Sequence, residues 1–313
     1  MTASPIPRRI LHTGQAIVDI VMQIPALPPL GGDVYATATK ITAGGGFNVM
    51  AAAARDGGDV VYLGVVGDGP FARVVTDALT SEGVAVPNDP VAGIDTGFSV
   101  AMVDGSAERT FVTSLGAEGR LDAAHLRAVP VRGGDVVYVT GYSLLHERNR
   151  AALTAWLPTV PADAVVVFDP SPMIGSIPDA AWHLMAERAT LWSLNAREAR
   201  LAAERFGDRP GDPSALTVGL AARVAGTVVL RDGSAGVWIS GAEATHIPGH
   251  PVHAVDSNGA GDAHTGVLAA ALAAGAPLAD AVRRANVAAA IAVTRLGPAT
   301  SPTAAEIEAA LSA

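Results

Sequence analysis

The sequence predicts an α/β fold: a doubly wound, mainly parallel β-sheet flanked by helices, with a small β-sheet lid built from early insertions. Three features predict it. From residue 59 onward, short apolar runs alternate with segments of helical period, as strands joined by helical crossovers do. Near the N-terminus, four strand-like stretches break that alternation and can pair with one another. Late in the chain, a loop with two glycines opens directly into an Ala- and Leu-rich helix, an arrangement suited to binding an anion.

Residues 8–13 read as the first strand, closed by Gly14. Residues 17–24 are strand-like, with Asp19 near their start, and a Pro- and Gly-rich break follows. Residues 33–41 alternate Val34, Ala36, Ala38 and Ile41 with Thr37, Thr39 and Lys40, as a half-exposed strand does. Gly44, Gly45 and Gly46 then open a helix running to about Arg55. Residues 60–66 form a buried-type strand and residues 70–81 a helix. Residues 98–103 and 109–114 form a hairpin, because Asp104-Gly105 favours a tight turn.

Strands at 136–139, 164–168 and 190–194 follow, with helices at 147–157, 179–188 and 196–206. Strands at 227–230 and 236–239 and a β-type segment at 252–255 precede helices at 262–274, 277–295 and 303–312. One α/β domain over 1–313, with lid segments at about 17–41 and 96–114, accommodates the whole pattern. The alternative makes the early stretches an antiparallel edge of the main sheet.

Half of the 313 residues are hydrophobic, so a large core can form. The apolar run at 263–278 is short and broken by Gly266 and Gly275, so no membrane span is expected. Residues 1–9 carry prolines and arginines and no apolar leader. Cysteine is absent, which rules out disulfides and thiolate chemistry. These features point to the cytoplasm. A net charge of −9 argues against a nucleic-acid surface, while backbone donors can still bind an anionic cofactor.

Candidate chemistry centres on Asp256-Ser257-Asn258-Gly259-Ala260-Gly261-Asp262. Small residues at 259, 260 and 261 let backbone N–H groups approach an anion, and the helix start adds unpaired donors. Asp262 stands beside that cradle, where a carboxylate can accept a hydroxyl proton during phosphoryl transfer. Such a loop also serves simply as a helix cap. Gly44, Gly45 and Gly46 allow a ligand close to the backbone, and Asn48 offers a donor and an acceptor suited to a polyol; a flexible turn capped by Asn48 has the same sequence. Arg109, on a lid strand, can reach an acidic or phosphorylated substrate; more often such an Arg covers the sheet surface or pairs with a carboxylate. His250 and His253 lack further ligands for zinc, and Ser143 lacks the flanking glycines of a nucleophile elbow.

These stretches resemble the signatures of the ribokinase-like (pfkB) carbohydrate kinase family, in the right order from Gly14 to Ser301. The 256–262 string is similar to D-T-x-G-A-G-D, with Ser257 and Asn258 departing from it. Gly44, Gly46 and Asn48 match G-G-x-G-x-N, with Ala43 in place of its first glycine. Asp19, five residues after Gly14, matches the position where the family's carboxylate binds substrate hydroxyls. Asn195 and Glu198 match N-x-x-E, which implies that Asn195 faces nucleotide phosphate and Glu198 holds Mg²⁺ through water; the pair equally suits a capping box. Arg231, Gly233 and Gly236 resemble the nucleotide-side turn, with Arg231 where Thr or Lys is usual and placed to contact a phosphate. Asn286 resembles the helix bordering adenine. In potassium-activated members a loop holds K⁺, and Asp256, Asn258, Ala292, Arg295, Gly297 and Ser301 match its positions.

The resemblance implies a kinase that uses ATP and Mg²⁺ to phosphorylate a hydroxyl, a primary CH2OH, of a sugar or related polyol. The alternatives are a nucleoside kinase of the same family and a nucleotide- or sugar-binding protein with little catalysis. The resemblance also implies a homodimer formed through the lid. A dinucleotide oxidoreductase is disfavoured, because neither glycine stretch follows the first strand in G-x-G-x-x-G form.

Overall fold

The computed structural model describes residues 8–106 and 108–313, so the reading of residues 1–7 as lacking an apolar leader lies outside the described residues. In chain order the elements are β1 (Arg9–His12), β2 (Ala16–Gln23), β3 (Ala38–Gly45), α1 (Phe47–Arg55), β4 (Asp59–Tyr62), α2 (Pro70–Ser81), β5 (Phe98–Val103), β6 (Arg109–Ser114), α3 (Ala123–Leu126), β7 (Val136–Thr140), α4 (Gly141–Leu145) and α5 (Glu147–Trp156). They continue as β8 (Val165–Asp169), α6 (Asp179–Arg188), β9 (Leu191–Asn195), α7 (Ala196–Arg205), α8 (Pro213–Ala221), β10 (Thr227–Arg231), β11 (Gly236–Ile239), β12 (Thr245–Pro248), α9 (Ala260–Ala273), α10 (Leu278–Ala292) and α11 (Ala304–Leu311).

Among the described residues, eight strands form the main sheet in the order β12-β11-β10-β9-β8-β7-β1-β4. Its strands are parallel from β4 to β10, and β11 and β12 add an antiparallel edge. The winding reverses between β1 and β7: β4 lies on one side of β1, and β7 to β10 step away on the other. Open α/β sheets bind ligands beyond the strand ends at such a reversal. Alternate strand residues feed opposite faces. Ile10, Val136 and Tyr138 pack with the face that includes Met50, Val267 and Ala285, while Leu11, Val137 and Val139 pack with the face that includes Leu153, Trp182 and Ala202.

The early stretches form a separate four-stranded sheet, β3-β2-β5-β6, not an edge of the main sheet. Strands β2 and β5 pair in parallel, and the flanking pairs are antiparallel. The hairpin at 98–114 forms as expected.

Four boundaries differ from the sequence expectation. The strand expected at 33–41 begins only at Ala38 and runs through Gly45, pairing Gly44 with Ile17 and Gly45 with Ala16. Two of the three glycines are therefore strand, and the helix starts at Phe47. The strand expected at 60–66 ends at Tyr62, where its partner β1 also ends. Residues 252–255 are not a strand; the amides of Val255 and Asp256 donate to Val293 O at 2.7 and 3.0 Å, so the end of α10 satisfies this backbone. Strand β12 and helix α8 were not expected. No described helix is long and apolar enough to cross a membrane.

Candidate active site

A cleft of about 610 Å³ opens at the C-terminal ends of β7 to β10, between the small sheet and the start of α9. One half is walled by the small sheet and the chain after β1: Gln15, Asp19, Ser99, Phe111 and Thr113. The other half gathers the strand ends Thr140, Asp169, Asn195 and Arg231 with Gly259, Gly261 and Asp262.

Asp19 sits in the middle of β2, opposite Thr42. Burial pushes its carboxyl up to about 6. Gly44 makes that position available: a Cβ there would lie 1.9 Å from Asp19 Oδ2. This close approach explains why the glycine run reads as strand and as site at once. Asn48 lies in the first turn of α1, buried, and its Nδ2 donates to Asp262 Oδ2 at 3.1 Å. Its Oδ1 has no partner among the described residues, although it is buried. A buried amide oxygen without a donor marks a place where a ligand hydroxyl fits.

Across the cleft, Gly259 caps α9 with φ +75°, in the left-handed region that glycine adopts without strain. Gly259, Gly261 and Asp262 line the cleft; the Ala260 amide donates to Ser257 O at 3.3 Å, while the amides of Gly261 and Asp262 lie in the first turn, where a helix leaves its N–H groups without an i−4 carbonyl. Asp262 follows in that first turn. Burial raises its carboxyl to about 7; the Asn48 bond opposes the rise, Asp169 adds to it, and Arg231 lowers it. A carboxylate held near 7 is matched to accepting a proton at neutral pH.

Arg231, at the end of β10, is the charge centre of this half. Its Nη1 donates to Gly261 O at 2.9 Å and Thr265 Oγ1 at 3.1 Å, and its Nη2 stands 3.5 Å from both Asp169 Oδ2 and Glu198 Oε2. Its Nε is buried without a partner. Asn195 and Glu198 form the expected capping box at α7, with Glu198 Oε2 accepting the Asn195 amide at 2.8 Å and Asn195 Oδ1 accepting the Glu198 amide at 2.9 Å. Burial and then Asp169 raise the Glu198 carboxyl, partly offset by Arg231. Asp169 and Glu198 share one guanidinium, which leaves net negative charge where a hydrated divalent cation fits.

Asp169 was not singled out from the sequence. The signal was present: an Asp closing an apolar strand, at the end where α/β sheets bind ligands. It is followed by Ser171, a non-glycine residue at φ +58°. The Ser171 amide donates to Asp169 Oδ1 at 2.9 Å, so a strained backbone position orients this carboxylate.

Other expected site residues stand apart from the cleft. Asn286 donates to Pro248 O at 3.2 Å and lines a shallow hollow with Gly249, His250 and Arg283. Gly236 lies against β12, where a Cβ would meet Ile247 O at 2.2 Å, and Gly233 faces open space. Arg109 does not line the cleft; its Nη2 donates to Asp256 Oδ1 at 2.8 Å, the carboxylate pairing and not the substrate contact. Ala292, Arg295, Gly297 and Ser301 cluster at the end of α10 and the turn after it. His264 is buried in α9; burial, then Arg231, pushes its ring down to about 3, so it is neutral.

Residues 8–305 match the family described as pfkB family carbohydrate kinase. Over 300 residues the chain is 32% identical to the uncharacterized sugar kinase YegV of Escherichia coli (strain K12), covering 95% of this chain and 92% of that protein. Among solved structures, ribokinase from Thermotoga maritima superposes with a TM-score of 0.82 at 22% identity, covering 98% of this chain and 100% of that one. Fructokinase with bound ATP from Xylella fastidiosa superposes with a TM-score of 0.79 at 22% identity, covering 98% and 99%. At these identities the likeness to the solved structures is one of fold.

Proposed function

The chain belongs to the pfkB family of carbohydrate kinases, and from that premise we propose that it moves the γ-phosphoryl group of ATP to a primary hydroxyl of an uncharged sugar or polyol. The observation that carries this reading is the 3.1 Å bond from Asn48 to Asp262. It joins two glycine-bearing segments separated by 214 residues at one point of one cleft.

The acceptor would lie against the small sheet, its hydroxyls shared between Asp19 and the open Oδ1 of Asn48. That half of the cleft contains the carboxylates Asp19 and Glu118 and, among the described lining residues, no Lys or Arg. An acceptor already carrying phosphate would meet repulsion there, so a neutral one is favoured. Asp262 accepts the proton of the attacking hydroxyl. The amides of Gly259, Ala260 and Gly261 stabilise charge on the transferring group. Arg231 neutralises the strand-end carboxylates and faces the phosphates. In a loose transition state the proton moves late, so alignment and charge stabilisation supply most of the acceleration.

ATP would be held by Asn195, Arg231 and the turn at Gly233, with its base toward Asn286. Mg²⁺, when bound, supplies charge neutralisation of the phosphates; Glu198, with Asp169 beside it, would hold it through water. The small sheet would act as a lid of the single domain, closing over the acceptor and excluding water. Strand β6 is exposed along its whole length, with Phe111 and Val112 at 58% and 59% exposure, so a homodimer through this edge is favoured. Light scattering at micromolar concentration tests it, and a monomer counts against it.

Coupled ADP release over D-fructose, D-ribose, other neutral pentoses and hexoses, their phosphates, and adenosine tests the activity. ADP release with a neutral sugar is expected. ATP binding without ADP release for any acceptor would favour a binding protein instead.

A further inference from the structure

Arg109 belongs to β6, the exposed edge of the small sheet, yet its guanidinium reaches the loop before α9. Asp256 opens that loop, and its carboxylate is fully engaged. Oδ1 accepts Arg109 Nη2 at 2.8 Å and the Asn258 amide at 2.9 Å, and Oδ2 accepts the Gly297 amide at 3.0 Å. Burial alone would raise this carboxyl; the two amides and Arg109 reverse the effect and hold it below the usual carboxylate range. One carboxylate thus ties the amide-presenting loop to the turn after α10 and, through Arg109, to the small sheet.

The family resemblance puts a monovalent cation at this turn, but the carboxylate that would carry the charge toward it, Asp256, is already engaged by three donors, one of them a guanidinium. K⁺ gives up water only for several oxygen ligands. Ala292 O already accepts the Arg295 amide and Thr300 Oγ1, each at 3.1 Å. The same Thr300 hydroxyl lies 3.2 Å from Gly297 O, so its one hydrogen serves one of the two carbonyls or is shared between them, and Ser301 O accepts Arg55 Nη1 at 3.1 Å. The Ser301 hydroxyl is buried and unpartnered among the described residues. The positive charge at Asp256 comes from the protein itself.

We infer that Arg109 is a positioning residue for phosphoryl transfer: its guanidinium serves as the fixed cation that orders the 256–261 loop in place of bound K⁺. Because Arg109 rides on the small sheet, the order of the loop depends on where that sheet sits over the cleft. The kinetic part rests on the proposed kinase activity; the ion pair and its effect on the fold do not.

The test compares full-length wild type, Arg109→Ala and Arg109→Lys in choline chloride and in KCl at matched ionic strength. Thermal unfolding requires neither ATP nor acceptor. Wild-type Tm is expected to agree between the two salts within about 1 °C, and Arg109→Ala to melt about 3 °C lower in choline. ADP release is then followed with whichever of D-fructose, D-ribose or adenosine wild type uses. Wild-type kcat is expected to be the same in both salts. Arg109→Ala is expected to lose about tenfold in kcat, the effect of removing one charge-assisted hydrogen bond, and to regain part of it with millimolar methylguanidinium, which a general loss of folding would not allow. Arg109→Lys keeps the charge and is expected to fall between the two. Wild-type Tm and kcat that both rise when K⁺ replaces choline would overturn the inference, as would an Arg109→Ala protein indistinguishable from wild type. If no acceptor supports ADP release, the kinase proposal fails, and the melting comparison still decides the role of Arg109.

Discussion

Replacing Asp262 with Asn separates the two consequences of burying this carboxylate. Burial raises its carboxyl from 3.8 to about 7. The folded protein therefore holds this proton more tightly than the unfolded chain does. Ionisation costs native stability progressively as pH climbs from about 4, and the cost is complete above about 7. A rise of that size corresponds to about 4 kcal/mol at about 1.36 kcal/mol per pH unit. The cleft admits water, so roughly half, about 2 kcal/mol, is the expected cost. Asparagine cannot ionise and keeps an oxygen for Asn48 Nδ2 to reach. Asp262→Asn should thus melt about 4 °C above wild type at pH 8, and the gap should close toward pH 4. The same change removes the proton acceptor and should lower kcat by about 10²- to 10⁴-fold with ATP binding nearly intact. Differential scanning calorimetry at pH 4, 6 and 8, beside the coupled ADP assay, measures both. A variant no more stable than wild type at pH 8 would show that the carboxylate is not desolvated. A kcat within tenfold of wild type would remove Asp262 from the chemistry.

The acid limb of kcat/KM for the acceptor should have its midpoint near pH 7, set by Asp262 at about 7, and should steepen below pH 6, where Asp19, at about 6, is protonated as well, because both work ionised; a midpoint near 4 would contradict this. Gly44→Ala places a Cβ 1.9 Å from Asp19 Oδ2, so the acceptor KM should rise about tenfold or more while ATP binding is retained. An unchanged acceptor KM would separate Asp19 from substrate. Away from the cleft, Arg9 and Asp135 form a buried pair at 2.6 Å, and Asp135→Ala should cost about 3–5 kcal/mol in urea unfolding at pH 7 by stranding the Arg9 charge. Burial opposes it, but the Arg9 and Arg132 bonds hold the Asp135 carboxyl below 3.8. This contribution is therefore present above about pH 4 and lost as pH falls below it, so the gap between wild type and variant should narrow in acid.

Much of the fold was legible because its signals are local. The alternation of apolar strands with helices from residue 59 onward set the parallel sheet, and Asp104-Gly105 set the hairpin. What escaped depends on partners distant in sequence. Gly44 and Gly45 carry no side chain, so no period-2 pattern could mark them as strand; pairing with Ile17 and Ala16 does. Residues 252–255 have strand-like composition but find the end of α10 instead of a neighbouring strand. In the site, Asp19, Asn48, Asp262 and Glu198 were readable from motif spacing; the structure brings Asp19, Asp262 and Glu198 to one cleft, with Asn48 buried behind it and bonded to Asp262. Asp169 was not readable, because its importance comes from sharing Arg231, two strands away at the end of β10, with Glu198 in α7. For Arg109 the sequence offered pairing with a carboxylate beside a substrate contact, but nothing in it names residue 256 as the partner.

A crystal structure with a non-hydrolysable ATP analogue, Mg²⁺ and the accepted sugar would test the arrangement of the cleft. The sugar's primary hydroxyl is expected within hydrogen-bond distance of an Asp262 oxygen, its other hydroxyls on Asp19 and Asn48, and the γ-phosphoryl against the amides of residues 259–261. A sugar bound with no hydroxyl near Asp262, or a nucleotide whose phosphates avoid the start of α9, would contradict it.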